Sequence, residues 1–280
     1  MGNYIKTILL LGVLSVILIT LGRLVGGESG MYLALIIALV MNGVSYFYSD
    51  KIALMASGAK PLSKKQAPGL YDMVENLTKK MHLPMPRLYI TPDRQANAFA
   101  TGRSPNHAAV AVTQGILDTL SKDELRAVLA HELSHVQNRD ILIATIAAVL
   151  ASAISFIGNM VMYRGFSGGS DENNRGGGML TLFAALLVPL GASLIQLAIS
   201  RQREFGADQI GAKTIGNGEP LADALLAIHD STKRIPMRHN PAFSSLYIEN
   251  PFEKKGGGLL KLFSTHPPVV ERVKRLRAIR

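Results

Sequence analysis

The chain of 280 residues contains no cysteine and no tryptophan. Without cysteine there is no disulfide framework, which fits a reducing compartment. Charge is scarce as well: 18% of residues are Asp, Glu, Lys or Arg, against about a quarter in an ordinary soluble domain. The scarcity is local. Four runs, 7–22, 29–49, 141–163 and 176–200, hold none of the four charged types. Transporter spans carry ionisable residues inside the membrane, so this absence argues against a transporter. There is no internal repeat. The Gly-rich stretches "GFSGGSDENNRGGG" and "KKGGG" lack the spacing of a phosphate-binding loop.

What replaces charge is apolar sequence, 48% of the chain. A helix needs about 20 mostly apolar residues to cross a bilayer. The last three runs reach that length. The first does so if Lys6 and Arg23 snorkel toward the headgroups. It reads as a retained anchor rather than a cleaved signal. Lys6 is the only basic residue before it, a second span follows at once, and no small-residue cleavage site is evident. If the four spans alternate, one side receives 1–6, 50–140 and 201–280. Of the 30 Lys and Arg, all but Arg23, Arg164 and Arg175 then lie on that side. Basic residues collect on the cytoplasmic side, so both large segments are expected there. The net charge of +10 is read as topology and attraction to a lipid bilayer rather than to nucleic acid.

The expected organisation is two transmembrane helices in 1–49, the first part of a cytoplasmic domain in 50–140, two more transmembrane helices in 141–200, and the second part of that domain in 201–280. Segment 50–140 opens with a linker. Leu70, Met73, Val74, Leu77 and Met81 then recur at helical spacing. "RLYI", "NAFATG" and "AAVAVT" read as three short strands, with turn chemistry at Arg103-Ser104-Pro105-Asn106 between the last two. Ser121-Lys122-Asp123-Glu124 is a capping box that starts a helix. Segment 201–280 begins and ends in helices, with Val270, Val273, Leu276 and Ile279 expected on one stripe, and 236–263 reads as a loop.

The helix after the capping box carries "LAHELSHVQNRD". Positions i and i+4 share a helix face, so His131 and His135 can aim two imidazoles at one ion. Glu132 lies beside them, where it can deprotonate a metal-bound water. This is the H-E-x-x-H arrangement of zinc proteases. A catalytic zinc wants a third protein ligand and one open position. His135 comes five residues before Asp140, the last residue ahead of the third run, and Glu204 comes four residues past the end of the fourth. Two spans return the chain to the same side, and at about 1.5 Å per residue both groups stand within two turns of the membrane. Glu204 is therefore the expected third ligand. Asp208, one turn on, can accept the second ring N–H of a ligating histidine. His82, His107, His229 and His239 read as surface residues. His266, in "STHPP", can approach the open zinc position or an oxyanion.

"NAFATG", "AHELSHVQNRD", "SRQREFGAD" and "STHPPVVERV", in that order, resemble the HtpX heat-shock membrane metalloproteases, relatives of the CAAX prenyl endopeptidase. The resemblance runs along nearly the whole chain. It implies an α-helical membrane protein with about four transmembrane helices and a cytoplasmic, mainly helical, zincin-like α+β metalloprotease domain. It also implies a bacterial inner-membrane location, Zn2+ held by His131, His135 and Glu204, and Glu132 as catalytic base. Its substrates would be polypeptides, chiefly misfolded or damaged membrane proteins. "NAFATG" would be an edge strand that pairs with substrate, and His266 would lie near the active site. Two other readings stay open: a protease for prenylated C-termini, and a scaffold that holds zinc without hydrolysis. Oligomeric state is not legible.

Overall fold

The computed structural model describes residues 2–151, 201–235, 246–248 and 267–279. Helix α1, Gly2–Ala56, is broken at Gly26 and Gly27, and Gly27 takes a left-handed φ of 59°. Glycine pays no Cβ penalty there, so the break falls where the first two apolar runs are separated. The two arms fold back on one another. A Cβ on Gly22 would run into the Gly30 carbonyl oxygen, and one on Gly30 into that of Gly22. Further along, Asn42 Nδ2 donates to Ser15 Oγ at 2.9 Å and ties the arms together.

Gly26–Ala56 is long and apolar enough to cross a membrane, and Ile5–Thr20 is a shorter apolar stretch. Ile8, Leu9, Val16, Ile36, Leu39 and Val40 all stand exposed on these arms. So large an apolar surface marks a lipid or protein contact. The second arm continues past residue 49 to Ala56, because Ala53 and Leu54 are buried against Phe99, Ala109 and Ala111 of the sheet. Anchor and domain are thus joined by packed helix, and the linker follows it.

The sheet has four strands: β1 (Lys60–Pro61), β2 (Arg87–Thr91), β3 (Ala98–Gly102) and β4 (Ala108–Thr113). Their order is β1-β2-β4-β3, with β2 parallel to β4 and the other pairs antiparallel. The three strands expected from sequence are present, and β3 is an outer strand. Gly102 (φ 139°) closes the β3–β4 connection with the His107 carbonyl where a Cβ would sit.

Helix α2 (Pro68–Lys80) starts on Pro68, buries Leu70, Val74 and Leu77, and ends with Lys79 and Lys80 against the helix dipole. After the short α3 (Gln114–Thr119) comes α4 (Lys122–Gln137), the centre of the domain. Both arms of its capping box form: Glu124 N donates to Ser121 Oγ at 3.3 Å, and Ser121 N to Glu124 Oε2 at 2.7 Å. Such a cap stabilises a helix by about 1 kcal/mol. Arg139, at φ 60°, turns the chain directly into α5, Asp140–Ala151. Leu142, Ile146 and Leu150 of α5 pack on Leu10 and Leu14 of α1, so the third apolar run begins alongside the first. The rest of that run and the fourth lie outside the described residues.

Helices α6 (Arg201–Ile215), α7 (Glu219–Arg234) and α8 (Val269–Leu276) complete the domain. The stripe expected on α8 needs correction. Val270 is 78% exposed, while Val273 and Leu276 are buried with Arg272 at 1%. The helix is rotated to face a carboxylate, and a charged side chain takes the place an apolar one was expected to fill.

Candidate metal centre

His131, Glu132 and His135 lie on α4, and all but His135 are fully buried. Glu204 and Asp208 come from the facing turns of α6 and are buried too. The helices approach closely because Gly211 abuts the α4 backbone: a Cβ there would stand 3.0 Å from His131 N and 3.2 Å from His131 Cα. Gly206, on the same helix, meets nothing within 4 Å. Gly206→Ala is therefore expected to be neutral or to stabilise by up to about 1 kcal/mol through helix propensity. Gly211→Ala should instead cost about 1–3 kcal/mol through overpacking and weaken metal binding. Thermal unfolding and a zinc titration of the two variants check this; equal behaviour would refute the packing argument.

One ligating atom from each of His131, His135 and Glu204 lies within 4.8 Å of the others, and this is the metal-type cluster found among the described residues. The two Nε2 atoms are 3.2 Å apart. Glu204 Oε1 is 3.5 Å from His135 Nε2, and Oε2 is 3.8 Å from His131 Nε2. Ligands bound at about 2.1 Å around a tetrahedral ion stand roughly 3.4 Å apart. The three side chains stand at spacings that suit a small divalent ion.

The other ring nitrogens are held. His131 Nδ1 is 2.9 Å from Asp208 Oδ1, and His135 Nδ1 is 3.1 Å from Asp140 Oδ2. A carboxylate on Nδ1–H leaves the Nε2 lone pair aimed into the cluster and raises its basicity. Burial lowers the pKa of His131, against the pull of Asp208, and favours the neutral, ligating ring. Around His135, burial is outweighed by Asp140, Glu204 and Glu132, which raise the ring to about 9. The pocket thus favours positive charge beside these carboxylates, a demand that a bound cation also meets.

Asp208 is gripped in turn. Arg272 Nε and one terminal nitrogen donate to its two oxygens at 2.9 and 2.6 Å, and the other terminal nitrogen donates to the Ile248 carbonyl at 3.0 Å. Burial would raise the Asp208 carboxyl, but Arg272 and His131 hold it down at about 2. Among the described residues, Glu132 has no ion pair of this kind. Burial chiefly, with the Glu204 charge, pushes its carboxyl up to about 8, while His135, the Ala100 backbone N–H and Arg272 oppose the shift. The Ala100 contact places Glu132 beside the outer strand β3. Ile248 N donates to Ala98 O on the same strand at 3.1 Å.

The structure thus gathers His131, Glu132, His135, Glu204 and Asp208 around one point. His266 lies outside the described residues. Asp140 and Arg272 escaped the sequence reading. Asp140 sits five positions past His135, where a tight turn could have suggested it. Arg272 carried the signal of a basic residue within an apolar stripe.

The chain matches the family model described as Peptidase family M48 over residues 64–280. It is 53% identical over 280 residues to "Protease HtpX homolog" of Pelotomaculum thermopropionicum, covering 99% of each chain. It is 47% identical to the protein of the same name from Pyrococcus furiosus, covering 99% of this chain and 96% of that one. Among solved structures it resembles the crystal structure of S. mikatae Ste24p, with a TM-score of 0.53 and 19% identity over 98% of this chain and 65% of that chain, a likeness of fold alone. By sequence, fold and buried cluster, the chain belongs to peptidase family M48, among its HtpX members, and is a membrane metalloprotease.

Proposed function

We propose that the chain is a zinc endopeptidase of a bacterial inner membrane, with four spans and a cytoplasmic active site, that cleaves misfolded or damaged membrane proteins. The observation that carries this reading is the near-equilateral set of His131, His135 and Glu204 with Glu132 set between it and an outer strand. His131, His135 and Glu204 are the zinc ligands. When bound, zinc supplies Lewis acidity for the scissile carbonyl and for a water. Asp208 and Asp140 hold the two rings. Glu132 takes a proton from the attacking water and passes it to the leaving amine. A substrate segment adds to β3 as an extended strand. Ile248 already uses Ala98 O and Glu132 the Ala100 N–H, so the substrate's share of the edge runs from the Ala100 carbonyl to Gly102. Extended pairing requires unfolded polypeptide. Asp140, next to the site, opens a helix packed on the first apolar arm, which favours substrates presented near the bilayer. The charge asymmetry of the sequence supports the cytoplasmic side.

The test is cleavage of casein by the purified, detergent-solubilised chain. Chelation is expected to lower cleavage at least about a hundredfold, with stoichiometric zinc restoring it. Cleavage that survives complete metal removal would defeat the reading. A farnesylated peptide cut in preference to unfolded protein would move the chain to the prenyl-protein proteases, and zinc binding without any cleavage to the scaffolds.

A further inference from the structure

A cleft of about 590 Å³ lies where the second arm of α1 meets the sheet, lined by Phe47, Tyr48, Lys51, Arg87, Arg103 and His107 among others. We propose that it binds the phosphate headgroup of an anionic phospholipid.

Its charge is unbalanced. Arg87 is paired with Asp50 at 2.7 Å. Lys51 and Arg103 have no carboxylate partner among the described residues. Each instead lies over an aromatic ring: Lys51 Nζ is 5.1 Å from the Tyr48 centroid, and the Arg103 guanidinium 5.7 Å from that of Phe47. Ring contacts orient a cation without neutralising it. Arg103 sits on a fixed connection, between Gly102 at φ 139° and the turn closed by Ser104 Oγ on His107 Nδ1 at 3.0 Å. Two oriented, unpaired cations suit a phosphate, with arginine able to engage two of its oxygens.

Position argues for lipid as the source. The cleft lies at the end of the apolar arm, and aromatic residues at the end of a span mark the headgroup level. Val40, Val44 and Phe47, at i, i+4 and i+7, form an exposed apolar stripe that leads down the arm from the cleft. A headgroup between Lys51 and Arg103 would lay its acyl chains along that stripe.

The inference rests on the second arm being embedded in lipid, but not on proteolysis. Wild type and Glu132→Gln, extracted from membranes containing phosphatidylglycerol and phosphatidylcholine, should carry the same amount of phosphatidylglycerol in native mass spectrometry. Lys51→Gln with Arg103→Gln should carry about tenfold less or lower still. Both substitutions are away from the buried cluster, so casein cleavage by the double variant should be unchanged and would verify its fold. Retention that survives excess inorganic phosphate supports the lipid as ligand. Displacement by phosphate keeps the phosphoryl site and assigns it a soluble ligand. Equal retention by the double variant, or equal retention of phosphatidylcholine, would overturn the proposal.

Discussion

Glu132→Gln is expected to keep fold and metal and to lose turnover by about 10²–10⁴-fold, the usual worth of a positioned general base, or more. The amide has nearly the volume of the carboxyl, and its oxygen can still accept from the Ala100 N–H. Neither ring depends on Glu132 for its carboxylate partner. The variant should also be no less stable. The buried Glu132 carboxyl titrates near 8 rather than its ordinary 4.5. Its folded state therefore holds a proton that the unfolded chain releases, and stability is lost as pH rises through that interval. Glutamine removes this loss, so in chelator the stability of the variant relative to wild type should grow from about pH 4.5 to about pH 8. Casein turnover, zinc stoichiometry and thermal unfolding across pH give the three readings. Wild-type turnover in the variant would remove Glu132 from the mechanism.

Arg272→Met should have the second largest effect. It leaves Asp208 charged, buried and without its two-pronged partner. Breaking a buried pair in this way costs about 3–5 kcal/mol. Freed from Arg272, Asp208 no longer fixes the His131 ring as firmly, and loss of such support costs about 10–100-fold in metal affinity. Arg272→Lys keeps the charge but cannot span both Asp208 oxygens and the Ile248 carbonyl, so it should fall between. Combining Arg272→Met with Asp208→Asn removes both charges and should recover much of the stability without the metal affinity. Urea unfolding and competitive zinc titration separate these effects. An Arg272→Met protein with wild-type values for both would refute the coupling.

The residues legible in the sequence are those whose relation is local or topological. His131 and His135 are one helical turn apart, so the spacing alone aligns them. Glu204 was reachable because the two apolar runs between it and the histidines are expected to carry the chain out and back. The strand at Ala98–Gly102 and the cap at Ser121 follow from side-chain chemistry within a few residues. Arg272 was hidden because its burial depends on how α8 is rotated, which distant partners decide: Asp208, 64 positions earlier, and the Ile248 carbonyl. Val270 was misassigned by the same rotation. Asp140 was read as the edge of a span, and its service to His135 depends on the left-handed turn at Arg139.

The Arg272 clamp also sets a clock on the newborn chain. Synthesis places 141 residues between His131 and Arg272. At about 5–20 residues per second, the ribosome needs roughly seven to thirty seconds to deliver the second after the first. Through that interval the H-E-x-x-H helix exists without the group that locks Asp208 against it. Full metal affinity is thus expected only after Arg272 has been made and has closed on Asp208.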